Sequence, residues 1–393
     1  MSNLSFINTV KYSRWLYFLY YYVGSFLILL IKCFVKADDR IIVFMSFGGR
    51  RFDDSPKSIY DAILTDKRFD EYHLIWAFIS PDLFFIPRGS KIRTDTLKYF
   101  ITLLKARVWI TNSSVERGLS FSGKKAFCLN TWHGTAMKKM GKDIRVDSKS
   151  FKSLAKESID IMLAQGQYDV ELFSRVFNIP KNKFRITGLP RNDELVFKNN
   201  SGYINSVRNS LNIPEGKKVI LYAPTFREYS KDQGHNVVQS IPLSFDRLKR
   251  DMGDDFVFLL RAHYEVIKVL DIHEDSFLRN VSSYPYLNDL MLISDVLISD
   301  YSSVFFDYSI LGRPMLCFAY DYNEYKENRG LYFDVREALQ SNITNEESLT
   351  EEVMGAFSQP DLYRQRAERF RSKFVTEYGD ASRKCLDIIF NAI

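Results

Sequence analysis

At 393 residues the chain exceeds what one hydrophobic core ordinarily serves, so two domains of similar size are expected. Its 54 Lys and Arg against 48 Asp and Glu leave a net charge of +6 with no dense basic tract or zinc-finger spacing. This argues against a nucleic-acid partner and suits a phosphorylated substrate or an anionic membrane surface. With 32 Phe, 23 Tyr and only 11 Pro, the composition is globular and excludes long disorder.

In chain order, the first feature is an almost wholly apolar and aromatic run, WLYFLYYYVGSFLILLI, at 15–31. It is slightly shorter than the twenty or so residues of a membrane-spanning helix. Lys11 and Arg14 precede it, and Lys32 and Lys36 follow, so basic flanks set no orientation. Its Trp and Tyr suit the headgroup layer, and no small-residue cleavage site follows. The expectation is an in-plane or shallow membrane anchor within 1–38, with a buried helix of the first domain as the alternative. Strand-like runs then alternate with helix-like segments: 41–45, a helix from Ser55, and strands at 72–79, 108–111, 126–129 and 159–164. The order restarts at 218–222, 256–260, 296–299 and 315–318, after a polar helix near 201–211. Short β-rich runs separated by helices predict parallel sheets covered on both faces, hence two doubly wound α/β domains facing a cleft. Gly188-Leu-Pro-Arg-Asn-Asp193 reads as the turn out of the first set, and a charged helical tail is expected from about Asp361. Cys33, Cys128, Cys317 and Cys385 are scattered, without CxxC or a disulfide pattern, consistent with a reducing cytosol.

Strand ends carry the candidate chemistry, because open α/β sheets bind ligands at the carboxyl ends of their strands. In the first domain, Thr131-Trp-His133-Gly-Thr135 follows a strand directly, with Lys138, Lys139 and Lys142 behind it. An imidazole there can take a proton from an attacking hydroxyl; the alternative is a structural, hydrogen-bonded His. In the second domain three strand ends converge: Thr225 and Arg227, then Arg261 and His263, then Asp300, Ser302 and Ser303. Arg313 follows shortly after in Leu-Gly-Arg-Pro. Guanidinium forks and hydroxyls at a helix start suit a pyrophosphate, although Ser and Asp also serve as plain helix caps. Gly48-Gly-Arg-Arg51 is a further loop of this kind, but it lacks GxGxxG and Walker spacing. Neither paired carboxylates at strand ends nor a His/Cys grouping suggests a metal.

The stretches NTWHGTAMKKMGKD (130–143), GLPRND (188–193), YAPTFR (222–227), RAH (261–263), DVLISDYSSVFFDYSILGRP (295–314) and YKENRGLYFD (325–334) together resemble the CDP-glycerol glycerophosphotransferase family of Gram-positive teichoic acid synthesis. The resemblance covers about half the chain. It implies a GT-B-like fold, with a membrane-associating segment at 1–38, an acceptor domain at 39–195 and a CDP-alditol-binding domain at 196–393, whose last helix packs back on the first domain. It also implies metal-independent, cofactor-free transfer of glycerol phosphate from CDP-glycerol to a polyprenyl-diphosphate-linked disaccharide, releasing CMP, at the cytoplasmic face of the cell membrane. His133 would be the base and His263 would act at the donor phosphates. Thr225, Arg227, Arg261, Asp300, Ser302, Ser303 and Arg313 would bind substrate. The chain has the size of a primase. Alternatives are a CDP-glycerol or CDP-ribitol polymerase for teichoic acid or capsule, a GT-B glycosyltransferase using a nucleotide-sugar, and a non-catalytic membrane-bound scaffold.

Overall fold

The computed structural model describes residues 13–144, 158–225, 227, 231–232, 235–236, 242–262 and 273–393. Among the described residues the first element is helix α1 (Arg14–Phe34), followed by β1 (Ile41–Met45), α2 (Asp54–Ile63), β2 (His73–Phe78), β3 (Ser90–Arg93), α3 (Leu97–Lys105), β4 (Val108–Thr111), β5 (Phe127–Asn130), β6 (Ile161–Ala164), α4 (Gln167–Phe177) and β7 (Phe184–Ile186). These seven strands form one parallel sheet in the order β3-β2-β1-β4-β5-β6-β7. Short helices α5 (Glu194–Phe197) and α6 (Ser201–Ser210) lead to the second sheet. It comprises β8 (Lys218–Ala223), β9 (Phe256–Leu260), β10 (Leu278–Asn280), β11 (Val296–Ser299) and β12 (Met315–Cys317), with α7 (Phe245–Met252), α8 (Leu287–Ile293) and α9 (Val304–Tyr308) between its strands. Its order is β10-β9-β8-β11-β12, again all parallel. Helices α10 (Tyr322–Arg329), α11 (Val335–Leu339), α12 (Glu346–Ser358), α13 (Pro360–Phe374) and α14 (Ala381–Phe390) complete the chain.

Both sheets reverse direction beside their first strand, between β1 and β4 and between β8 and β11. That is where a doubly wound sheet leaves a crevice at its carboxyl edge. The strands are apolar throughout because both faces are covered. On β1, Ile42 and Phe44 join one core with Tyr60 and Trp76, whereas Val43 and Met45 join another with Leu103 and Trp109. Three strands without an apolar run, β3, β7 and β10, were absent from the sequence expectation. All three are edge strands, and β3 buries one residue of its four and β7 one of its three, so burial left little hydrophobic trace. The charged helix expected from about Asp361 is α13, which starts at Pro360 and is preceded by α12. The final helix returns to the first sheet, where Cys385, Leu386 and Ile389 lie in the core of Ile42, Phe44 and Trp76.

Helix α1 is long and apolar enough to cross a membrane, and it is mostly exposed, so it is not a buried core helix. One face docks on the first domain. Ile28 packs with Leu103 and Leu119, the Tyr20 hydroxyl donates to the Arg117 carbonyl at 2.9 Å, and Ser25 Oγ accepts from Ser120 N–H at 3.0 Å. Gly24 allows this approach, since a Cβ there would stand 2.7 Å from Leu119 Cδ2. Trp15, Leu19, Tyr22, Phe26, Leu27 and Leu30 remain on the outside.

Candidate functional site

The loop after β5 is held in an unusual shape. Asn130 Oδ1 accepts from Trp132 N–H at 2.8 Å, and Trp132 takes φ = 51°, a strained value for a bulky residue. His133 is thereby placed between the rings of Trp132 and Phe47, with centroids at 4.1 and 5.9 Å. Its Nδ1 lies 3.0 Å from the Asn112 carbonyl oxygen. A carbonyl can only accept, so Nδ1 carries the proton and the neutral ring keeps a lone pair on Nε2. Burial lowers the pKa of His133, the Asn112 bond opposing this in part. The imidazole is therefore neutral near pH 7, in the tautomer a base requires.

Ser302 and Ser303 face this loop from the second domain, at the start of α9. A Cβ on Gly134, whose φ is 138°, would meet Arg191 Nη2 at 3.2 Å and Ser303 Oγ at 3.6 Å. The domains thus close on each other at a neck that a side chain would obstruct. Ser302 Oγ accepts from Val304 N–H at 3.3 Å, while the N-cap residue Ser303 makes no side-chain cap bond. α9 runs only five residues before a 3-10 turn, so the helix-dipole contribution expected from the sequence is small.

Two chambers of about 270 Å³ flank the neck, and both include His133, Ser302 and Ser303. The first adds Arg51, Asp53, Asp54, Arg191, Arg261, Tyr286, Asn288 and Asp307. The Arg261 guanidinium is braced on the Tyr284 and Val281 carbonyls, and its pKa is lowered by burial and by the like charge of Arg51. The second chamber adds Trp132, Thr135, Lys138, Met140, Thr225, Tyr301 and Arg329.

Three of the expected substrate ligands have other duties. Arg227, only 4% exposed, pairs with Asp300 Oδ2 at 2.9 Å and Asp321 Oδ2 at 2.6 Å. It sits among the rings of Tyr301, Tyr320 and Tyr325 at 5.0–5.3 Å. Asp300 is likewise buried and accepts from Thr225 N–H at 2.9 Å. This pair supports the site from beneath, because two carboxylates and three rings already complete the coordination of the guanidinium. Arg313 donates to the Leu292 and Ser294 carbonyls, both at 2.7 Å, at the C-terminal end of α8 and lines neither chamber. Its positive charge complements that helix end. Thr225, Arg261, Ser302, Ser303 and His133 are brought together; His263 lies outside the described residues.

Arg191, read from the sequence only as part of a turn, is central. Its Nη1 donates to Asp54 Oδ2 and to the His133 carbonyl, both at 2.8 Å, while Nη2 donates to Asp307 Oδ2 of α9 at 2.8 Å. Burial opposes its charge, yet Asp307 and Asp54 hold its pKa above the ordinary arginine value. Asn192 Nδ2 adds bonds to Asp307 Oδ1 and Gln165 Oε1, and Gln165 Nε2 reaches the Thr135 hydroxyl. The Thr135 hydroxyl in turn donates to Asp169, whose carboxyl burial pushes to about 7. The sequence signal for this network was a charged residue, Asp307, inside the apolar run Val-Phe-Phe-Asp-Tyr. Among the described residues, no cluster of His, Cys, Asp or Glu has a metal-binding arrangement.

A family model described as CDP-Glycerol:Poly(glycerophosphate) glycerophosphotransferase matches residues 27–391. A teichoic acid glycerol-phosphate transferase of Staphylococcus aureus (strain NCTC 8325 / PS 47) is 34% identical over 365 residues, covering 89% of this chain and 92% of that protein. A teichoic acid poly(glycerol phosphate) polymerase of Staphylococcus epidermidis is 33% identical over 90% of this chain, which spans about half (51%) of the polymerase. A solved structure of the wall teichoic acid polymerase TagF, the H444N variant soaked with CDPG for 15 minutes, superposes with a TM-score of 0.83 and 32% identity, covering 93% of this chain and 92% of that one.

Proposed function

This chain belongs to the CDP-glycerol glycerophosphotransferase family, with its GT-B-like fold, and from that membership we propose that it transfers glycerol phosphate from CDP-glycerol to a lipid-linked hydroxyl, releasing CMP, in wall teichoic acid synthesis. The observation that carries this reading is the neutral His133, its Nδ1 proton committed to the Asn112 carbonyl, at a neck shared with Ser302 and Ser303. In the reaction, Nε2 takes the proton of the acceptor hydroxyl. The freed oxygen bonds to the β-phosphorus, and the bond from that phosphorus to the bridging oxygen breaks with its electron pair leaving on CMP. Arg261, Ser302 and Ser303 hold the diphosphate and stabilise charge spreading over its oxygens, and His263 acts at the donor phosphates. Arg227 and Asp300 position Thr225 from below.

The acceptor expected from the sequence is the polyprenyl-diphosphate-linked disaccharide, the primase-type reaction. A second reading, extension of a lipid that already bears glycerol phosphate, is supported by the 33% identity to a teichoic acid poly(glycerol phosphate) polymerase. The exposed apolar face of α1 supports contact with a membrane surface, where a lipid-linked acceptor is met. The test is product analysis by mass spectrometry with purified protein, CDP-glycerol and a synthetic lipid acceptor. The expected products are CMP and lipid heavier by glycerol phosphate, both lost in His133→Asn. Release of UDP from UDP-sugars, with no CMP from CDP-glycerol, would establish a glycosyltransferase instead.

A further inference from the structure

The loop after β1 is strained like the one that carries His133. Phe47, Gly48 and Gly49 take φ values of 48°, 65° and 87° in succession, and the loop closes through a bridge between Ser46 and Arg51. Glycine adopts such angles freely, whereas phenylalanine does not. Phe47 is held there by its N–H, which donates at 2.7 Å to Oδ1 of Asn112, the residue whose carbonyl fixes His133 Nδ1. Gly48 N–H donates to Ser113 Oγ at 3.0 Å and Gly49 N–H to the Ser46 carbonyl at 2.9 Å, so the donors that a phosphate loop leaves free are committed. Asn112 is wholly buried and its Nδ2 has no hydrogen-bond partner among the described residues, so the side chain serves through its oxygen. Among the described residues, the aromatic side chains at positive φ are Phe47 and Trp132, and both rings lie against His133. Trp132 also packs on Phe173 and Phe177. Phe47 is half-buried, joins none of the first domain's cores and otherwise meets the Arg51 guanidinium.

We infer that Phe47 is a positioning residue for His133: its ring, carried by the Asn112 side chain while the Asn112 carbonyl carries the imidazole, closes one side of that imidazole and fixes the direction of Nε2. The inference deepens the transferase reading above and rests on it for its kinetic readouts. Phe47 lines the first chamber and not the second, and Trp132 the second and not the first, so the two rings flank His133 from different sides. A purely structural loop is served by glycine at 47, as at 48 and 49, without strain. Strained residues persist where their surroundings over-determine them, and they gather at functional groups. Excluding water from the ring disfavours the imidazolium, so Phe47 contributes to the lowered pKa of His133. Of the charges around the ring, Asp54 favours its protonation and Arg191 opposes it. Arg51, Asp53, Glu194, Arg261 and Asp307 line the first chamber with His133, and Lys138 and Arg329 the second. All of these survive a change at Phe47 alone. An approach of Arg51 into the vacated space lowers the pKa further, so the sign of the shift separates lost cover from a moved charge.

The experiment follows Phe47→Gly, Phe47→Leu and Phe47→Tyr by histidine NMR titration without substrate, with His133→Asn to assign the resonance, and by kcat/KM against pH. In Phe47→Gly the pKa of His133 and the acid limb are expected to rise together by about 0.5–1 pH unit, and kcat to fall by about tenfold through lost orientation. CDP-glycerol affinity, measured by calorimetry, stays within about twofold, because the ring acts on the base and not on the donor. Tm stays within a few degrees, because strain is relieved as ring contacts are lost. Phe47→Tyr keeps the ring and restores the wild-type values. Should the glycine variant misfold, Phe47→Leu, which keeps a Cβ and apolar bulk but no ring, shows the same shift at smaller size. An unchanged or lowered His133 pKa in the folded variants, or a rate loss that merely follows Tm, overturns the inference. Weakened CDP-glycerol binding also overturns it, by making Phe47 a donor contact. No CMP release by wild type overturns the transferase reading itself, and the NMR titration then still decides whether Phe47 covers the ring.

Discussion

The chemistry of His133 is set by one backbone carbonyl. Because the Asn112 oxygen holds the Nδ1 proton, Nε2 is the basic nitrogen whenever the ring is neutral. Burial lowers the pKa of the ring from 6.5, so the base is unprotonated above that lowered value. The rate is therefore expected to rise with pH to a plateau whose acid limb lies below pH 6.5, visible as the pH dependence of kcat/KM. A limb at or above pH 7 would show a charged imidazole in the free enzyme. Replacing His133 by Asn removes the base and is expected to lower kcat by about 10²–10⁴-fold, with CDP-glycerol affinity largely retained. Arg227 shows the opposite case: a guanidinium that reads from the sequence as a phosphate ligand but is enclosed by Asp300, Asp321 and three tyrosines.

At the scale of elements, one interdomain contact is made by the short segment 190–192 before α5 and by helix α9. Arg191 ties the His133 loop, the start of α2 and Asp307 with three bonds of 2.8 Å, so it sets how far His133 stands from Ser303. Arg191→Ala leaves Asp307 and Asp54 buried without a countercharge, and a loss of about 3–5 kcal/mol in stability is expected by chemical denaturation. Arg191→Lys keeps the charge but cannot reach three acceptors in a plane, so its effect falls on kcat more than on stability. A double-mutant cycle with Asp307→Asn checks this; additive effects would mean that the two residues act separately. Helix α1 poses a different question, since one face is docked and the other is apolar and exposed. Leu27→Glu with Leu30→Glu is expected to shift the protein from the pellet to the supernatant when it is sedimented with anionic vesicles, with Tm unchanged within a few degrees. Unaltered sedimentation would place the membrane contact elsewhere.

On the scale of the whole molecule, the last helix joins the two halves. α14 follows the second domain in sequence, yet it inserts Cys385, Leu386 and Ile389 into the first domain's core. Its N-terminus is capped by Asp193, which accepts from Ala381 and Ser382 N–H at 2.9 and 2.7 Å. Ile389→Ala is expected to cost about 2–5 kcal/mol. The loss should appear in hydrogen exchange of β1 and β2, not of β8 and β9; the reverse pattern would mean that α14 stabilises the second domain instead.

Sequence alone settled what depends on local pattern. Buried central strands such as 108–111, 256–260 and 296–299 are continuous apolar runs because both sheet faces are covered, and their ends mark where polar groups gather. It likewise brought Thr225, Arg261, Ser302, Ser303 and His133 into one list, since a strand's carboxyl end faces the crevice in any doubly wound sheet. Which charges remain available to a ligand was decided only by tertiary structure. Asp307 lies 116 residues from Arg191 and Asp321 lies 94 from Arg227, and no local periodicity encodes such pairings. Edge strands such as β3 depended on it too, because a strand that buries one residue of its four leaves no apolar run to read; the return of α14 was implied by the family resemblance and not by any local pattern, since its partner is the opposite end of the chain.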